Sequence, residues 1–188
     1  FPMLHRPFHA GDAEYAQYLG FYTQLAAAIR ARGLLLIVES QALFSRGGFA
    51  WWDVGPYYDS LTLDEYRAGR AAVARTIASE LRPDYLSLIQ EPDTEAAQTG
   101  KPELGTVEGS RALLDGLIAA VEAAGAPGVA LGAGVGTWQP DYRPFVESFA
   151  STAIDFVDMH VYAVNRDFLA RAVEIADVAR AAGKEVGI

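Results

Sequence analysis

Apolar positions along the chain fall into two kinds of stretch that alternate. Short unbroken runs occur at Leu34-Leu35-Leu36-Ile37-Val38-Glu39, at Tyr85 to Ile89, at Val129 to Gly134, at Ile154 to Tyr162 and from Lys184 onward. Runs this short, bounded by Gly and Pro, fit strands buried on both faces. The longer stretches between them are amphipathic. Ala13 to Arg32 is an Ala-rich helix, with Asp12 as N-cap and Gly33 as C′ residue. Thr62-Leu63-Asp64-Glu65 is a capping box, and it opens a helix to about Leu81. Thr106 to Ala124 is helical with Gly125 as its stop. Phe145 to Ala150 predicts a short helix, and Arg166 to Ala182 a long one closed by Gly183. Phe1 to Leu4 predicts the tail of a strand, and His5 to Gly11, Gln41 to Leu61, Asp93 to Gly105 and Val135 to Pro144 predict loops.

Strand then helix, repeated, predicts an α/β fold with a parallel sheet and right-handed crossovers. Two architectures satisfy that pattern: a closed (β/α)8 barrel and an open doubly wound sheet. A doubly wound nucleotide binder needs a glycine-rich loop between strand and helix. Gly132-Ala133-Gly134-Val135-Gly136 comes nearest but lacks the helix start and the downstream acid. The strand ends instead carry Glu39, Glu91, Trp138, His160 and Tyr162. Polar and aromatic groups at successive carboxyl ends of strands are the pattern of a TIM barrel mouth. A full barrel takes about 250 residues. The expectation is one incomplete barrel domain over residues 1–188, spanning roughly strands 2/3 to the start of strand 7. The chain begins Phe1-Pro2-Met3-Leu4 and stops part-way into a strand, so truncation at both ends is expected.

Composition narrows the chemistry. Half the residues are hydrophobic (51%), enough for a substantial core. The net charge is 15 − 24 = −9 with no basic run, which argues against nucleic acid as a partner. There is no cysteine, which excludes thiol catalysis, disulfides and thiolate metal sites. No apolar run approaches the roughly 20 residues of a membrane span. The compartment stays open, a secreted or periplasmic location being compatible.

Glu91 is the leading candidate for chemistry. It stands where the Tyr85–Ile89 strand runs out, before Pro92, which bars helical geometry at Glu91. A carboxyl at such a corner, beside aromatics that exclude water, can act as a general acid. Gln90 next to it could donate to a substrate hydroxyl. His160 and Tyr162 are two apart on a strand and so share a face. Phe44, Phe49, Trp51, Trp52, Tyr57 and Tyr58 crowd the second loop, and Trp138 the fourth. Of these, Trp51, Trp52, Tyr57 and Tyr58 are candidates for a wall that stacks on the flat faces of sugars, with Trp52 or Trp138 as the expected contact.

Leu88-Ile89-Gln90-Glu91-Pro92 and His160-Val161-Tyr162 together resemble the clan A glycoside hydrolases, retaining β-glycosidases on (β/α)8 barrels. In that family the fourth strand ends in Asn-Glu, often followed by Pro, and the sixth carries His-x-Tyr. Gln90 departs from the usual Asn. The resemblance implies that Glu91 is the acid/base on a β-linked oligo- or polysaccharide. With the strand-end and loop positions already named, the expected substrate contacts are Gln90, His160, Tyr162, Trp138, Trp52, Trp51 and Glu39, with neither cofactor nor metal. The resemblance also implies that the nucleophile, a Glu at the end of the seventh strand, lies beyond Ile188, so that the chain alone is inactive. Two alternatives remain. A metal-dependent sugar isomerase would bind a divalent cation through Glu39, Glu91 and His160. A non-catalytic carbohydrate-binding barrel would keep only the aromatic wall.

Overall fold

In the computed structural model, residues 13–42 and 54–187 are described. The expected strand at Phe1 to Leu4, the loop from His5 to Gly11, the Asp12 cap, Ile188 and the aromatics Phe44, Phe49, Trp51 and Trp52 lie outside those residues. Each apolar run yields a strand: β1 (Ile37–Glu39), β2 (Tyr85–Ile89), β3 (Ala130–Gly136), β4 (Phe156–His160) and β5 (Glu185–Gly187). The helices are α1 (Ala13–Arg30), α2 (Gly55–Asp59), α3 (Leu63–Thr76), α4 (Pro92–Thr99), α5 (Val107–Ala123), α6 (Tyr142–Ala150) and α7 (Arg166–Ala181). The capping box at Thr62 and Glu65 is formed in both directions. Thr106 and Asn165 cap α5 and α7 through their side chains. A π turn, Ile77–Leu81, extends α3 and ends at Arg82 in the left-handed region (φ 49°).

The strands make one parallel five-stranded sheet in the order β1-β2-β3-β4-β5. Among the described strands the order never reverses, so these five contain no switch point of the doubly wound kind. Right-handed crossovers that step one way put all connecting helices on one face. In keeping with that, α3 packs on α5, α5 on α6 and α6 on α7. By register Leu86 and Ile89, Ala133 and Val135, and Val157 and Met159 face that helical layer and are buried in one core with Leu114, Leu117, Val146 and Phe149.

The opposite face is built differently. By alternation it carries Tyr85 and Ser87 from β2, Gly132, Gly134 and Gly136 from β3, and Phe156, Asp158 and His160 from β4. From Gly132 onward β3 thus presents no side chain there; Ala130, at its start, carries a methyl group on this face. A Cβ on Gly132 would fall 2.2 Å from the Phe156 ring, and one on Gly134 only 1.5 Å from the Asp158 carbonyl oxygen. Side chains of β2 and β4 therefore meet over β3. The Tyr85 and Phe156 rings lie 5.7 Å apart, edge to face, and Ser87 Oγ donates to Asp158 Oδ2. Strands two apart in a flat sheet are about 9.5 Å apart. Serine and aspartate cannot bridge that span, so the sheet is curled with this face concave.

Several predicted boundaries move. The loop expected from Gln41 to Leu61 holds α2, which buries Tyr58 in the core and away from a stacking wall, and α6 starts at Tyr142 rather than Phe145. Residues 93–105 are not a loop but α4 followed by a 3-10 turn (Pro102–Gly105). Pro92 is the reason: it sits at the first helical position, where its missing N–H costs nothing, and Asp93 and Glu95 follow in the first turn. β1 is shorter than its apolar run. β3 continues to Gly136. β4 ends at His160, so Tyr162 is not a strand residue, and the alternation expected to pair it with His160 does not apply.

Candidate functional site

The site is built at the carboxyl ends of β1, β2 and β4. A bulge in β2 begins it: Ser87 pairs with Gly132 and Ile89 with Ala133, so Leu88 is the extra residue. Arg70 of α3 binds the Leu88 carbonyl through Nη2 (2.8 Å). The same buried guanidinium reaches the Ser40 carbonyl (2.7 Å), Ser40 Oγ (2.7 Å) and Glu95 Oε1 (2.8 Å). Tyr66 also donates to Glu95 Oε1, at 2.5 Å. Burial, with the Glu95 carboxylate behind it, pushes the Tyr66 phenol well above its ordinary range. One arginine thus ties together the exits of β1 and β2 and the first turn of α4.

Glu91 stands between those anchors. It is the N-cap residue of α4 with extended φ (−147°), and its carbonyl accepts from the Glu95 amide (2.9 Å). Its side chain makes no cap bond and instead places Oε1 2.6 Å from His160 Nδ1. Two motifs 69 residues apart in sequence meet in this contact. Gln90 is fully buried; its amide donates to the Ser87 carbonyl (2.8 Å), and its Oε1 has no partner among the described residues.

His160 is the hub. Its Nε2 lies 3.8 Å from Glu39 Oε1 and 3.9 Å from Asp158 Oδ2. The Glu39 contact is an ion-pair distance, so the Glu91 contact is the tighter of the two. Glu39 first and Glu91 second, with Asp158 adding charge, push the imidazole up to about 10 against the opposing effect of burial. Glu39 is in turn held below the usual carboxylate range by His160. Burial raises Asp158 despite the hydrogen bond from Ser87.

The rim is aromatic. Trp138 follows β3, and its ring folds back over Gly136, the register partner of His160. Its Nε1 donates to Asp93 Oδ2 (3.1 Å), two residues from Glu91. Tyr162 is half exposed and packs edge to face on Trp138 at 4.8 Å. Arg171 of α7 donates to the carbonyls of Thr137 (3.1 Å) and Trp138 (3.2 Å) and so holds this loop. Beneath, a cavity of about 600 Å³ is walled by Glu39, Ser87 and Asp158, with Tyr85 and Phe156 below and Gly187 of β5 on the far side.

The structure therefore joins Glu91, His160 and Glu39 directly, and Trp138 with Tyr162 beside them. The expected contacts Trp51 and Trp52 lie outside the described residues. Asp158, Ser87 and Arg70 were not among the sequence candidates. Asp158 is two residues before His160, and the alternation used for His160 and Tyr162 applies to it instead. Arg70 follows Tyr66 by four and precedes Val73 by three on the buried stripe of α3. No family model, curated protein or solved structure matches the chain.

Proposed function

We propose that this chain forms part of a (β/α)8 barrel glycoside hydrolase acting on a β-linked glycan with retention of configuration. Three features favour the barrel. The parallel strands follow one another in order, their concave face carries glycine on β3 from Gly132 to Gly136, and β1 and β5 wall the same cavity. The activity rests on one observation above all. Glu91 and His160, the two short motifs that suggested a glycosidase, touch at 2.6 Å at the carboxyl end of the sheet, where barrel enzymes place their chemistry.

In this mechanism Glu91 gives its proton to the glycosidic oxygen as the bond to the anomeric carbon breaks. A second carboxylate about 5–5.5 Å away takes up that carbon as a glycosyl ester. Glu91, now a carboxylate, removes a proton from water, which displaces the ester and restores both groups. His160 orients Glu91 through Nδ1, and Trp138 with Tyr162 offers a ring face to a sugar. In this reading the second carboxylate comes from the β5 side: Asp158 pairs with Gly187, so the register partner of His160 would be two positions beyond Gly187.

The test is an assay of the protein carrying this chain on a panel of β-linked oligosaccharides, with the anomer of the first product read by NMR. Release of the β-anomer is the expected result. No hydrolysis of any β-glycan, or release of the α-anomer first, rejects the retaining glycosidase.

A further inference from the structure

We propose that Glu39, Asp158 and His160 form a site for a first-row divalent cation, with its open coordination positions turned toward the cavity. This goes beyond the glycosidase proposal and does not depend on it. The sequence had suggested Glu39, Glu91 and His160 as a ligand set. The geometry points to a different trio, because Glu91 occupies Nδ1 and leaves Nε2 to face Glu39 and Asp158.

Donor atoms from all three residues lie within 4.8 Å of one another. The separations from Nε2 are 3.8 Å to Glu39 and 3.9 Å to Asp158. Ligands about 2.0–2.2 Å from one ion at near-tetrahedral angles stand roughly 3.3–3.6 Å apart. Contraction by a few tenths of an ångström would bring both carboxylates to that separation from Nε2. Two carboxylate oxygens and one imidazole suit Mn²⁺, Fe²⁺, Co²⁺ or Zn²⁺, whereas Ca²⁺ and Mg²⁺ prefer oxygen throughout.

The surroundings match what such a site requires. A metal-binding histidine commonly has its other ring nitrogen donating to a carboxylate, which fixes the ring and the tautomer. Glu91 stands in that position on Nδ1. Ser87 holds Asp158 from the far side of β3. Charge is also in excess: Glu39, Glu91 and Asp158 surround a single imidazole, while the nearby Arg70 is spent behind β1 and β2 on Ser40, Leu88 and Glu95. The cavity wall contains Glu39 and Asp158, which gives water or a ligand room at the remaining positions. Three protein ligands with an open side mark a site able to bind a further ligand.

The experiment strips the protein with EDTA, then measures uptake of Mn²⁺ alone and of Zn²⁺ alone by equilibrium dialysis. One equivalent per chain is expected. Glu39→Gln and His160→Gln should each weaken uptake at least tenfold, with circular dichroism confirming the fold. Glu39 is the more exposed ligand, so its variant is the one least prone to misfold. Glu103→Gln, on the 3-10 turn away from the site, should bind as the wild type does. Bound Mn²⁺ should show nitrogen coupling in pulsed EPR that is lost in His160→Gln. No stoichiometric uptake overturns the site, as does uptake that survives both ligand variants. The two proposals separate cleanly: β-glycan turnover without uptake defeats only the cation site, and uptake without turnover defeats only the hydrolase.

Discussion

Ser87 on β2 and Asp158 on β4 hydrogen-bond to each other over a strand that lies between them. The contact exists because β3 contributes glycine at positions 132, 134 and 136 on that face. Gly134→Ala should therefore be costly, since its Cβ would overlap the Asp158 main chain, which cannot swing aside. A loss of about 3 kcal/mol or more is expected in urea unfolding. Gly116→Ala is the control. Gly116 is exposed on α5 with no atom near its Cβ direction, and alanine there should add about 0.5–1 kcal/mol. Equal effects at the two sites would mean that β3 is not crowded.

Arg70 carries a separate prediction. Arg70→Met removes the partner of a buried carboxylate and strands the Ser40 and Leu88 carbonyls. Breaking such a pair from one side costs about 3–5 kcal/mol. Arg70→Lys should rescue little, because an ammonium cannot copy the planar fork. Adding Glu95→Gln to Arg70→Met should recover part of the loss. Strictly additive losses in the double variant would mean that Arg70 and Glu95 do not act as a pair.

Glu91→Gln should lower turnover of natural β-glycans by about 10²–10⁴. Aryl glycosides with good leaving groups should suffer less in the first step, because departure there needs no proton. Steady-state and burst kinetics on the two substrate classes check this. Near wild-type turnover of a natural glycan would remove Glu91 from the mechanism.

His160 makes stability pH-dependent in the EDTA-treated protein. Its folded value is about 10 against 6.5 for the free side chain, so the native state holds the proton more tightly. The stabilisation is complete below about pH 6.5 and is lost as pH rises toward 10. Thermal midpoints should fall across that window as the charge facing Glu39, Glu91 and Asp158 disappears. His160→Gln should flatten the fall, and an unchanged slope in that variant would assign it to other groups.

Much of the strand and helix order was legible because apolar runs and amphipathic stretches differ in length and period. Glu91 and His160 were legible as strand-end groups for the same reason. Arg70 was not, because a charged residue on a helix is ordinarily solvated, and only its four buried acceptors explain its place. Asp158 was passed over inside a run judged by its apolar neighbours. Helix α4 was missed because Pro92 was taken as a breaker, although the same ring starts a helix when it sits at the first position. What crosses above the glycines of β3 depends on curvature, which no local pattern encodes.

The cavity has its own consequence for the chain. Leu36 and Gly187 both line it, about 150 positions apart in sequence. A molecule bound there would touch both the first and the last described strands and would be held only by the folded chain. It would add stability that rises with its concentration in solution and disappears on dilution.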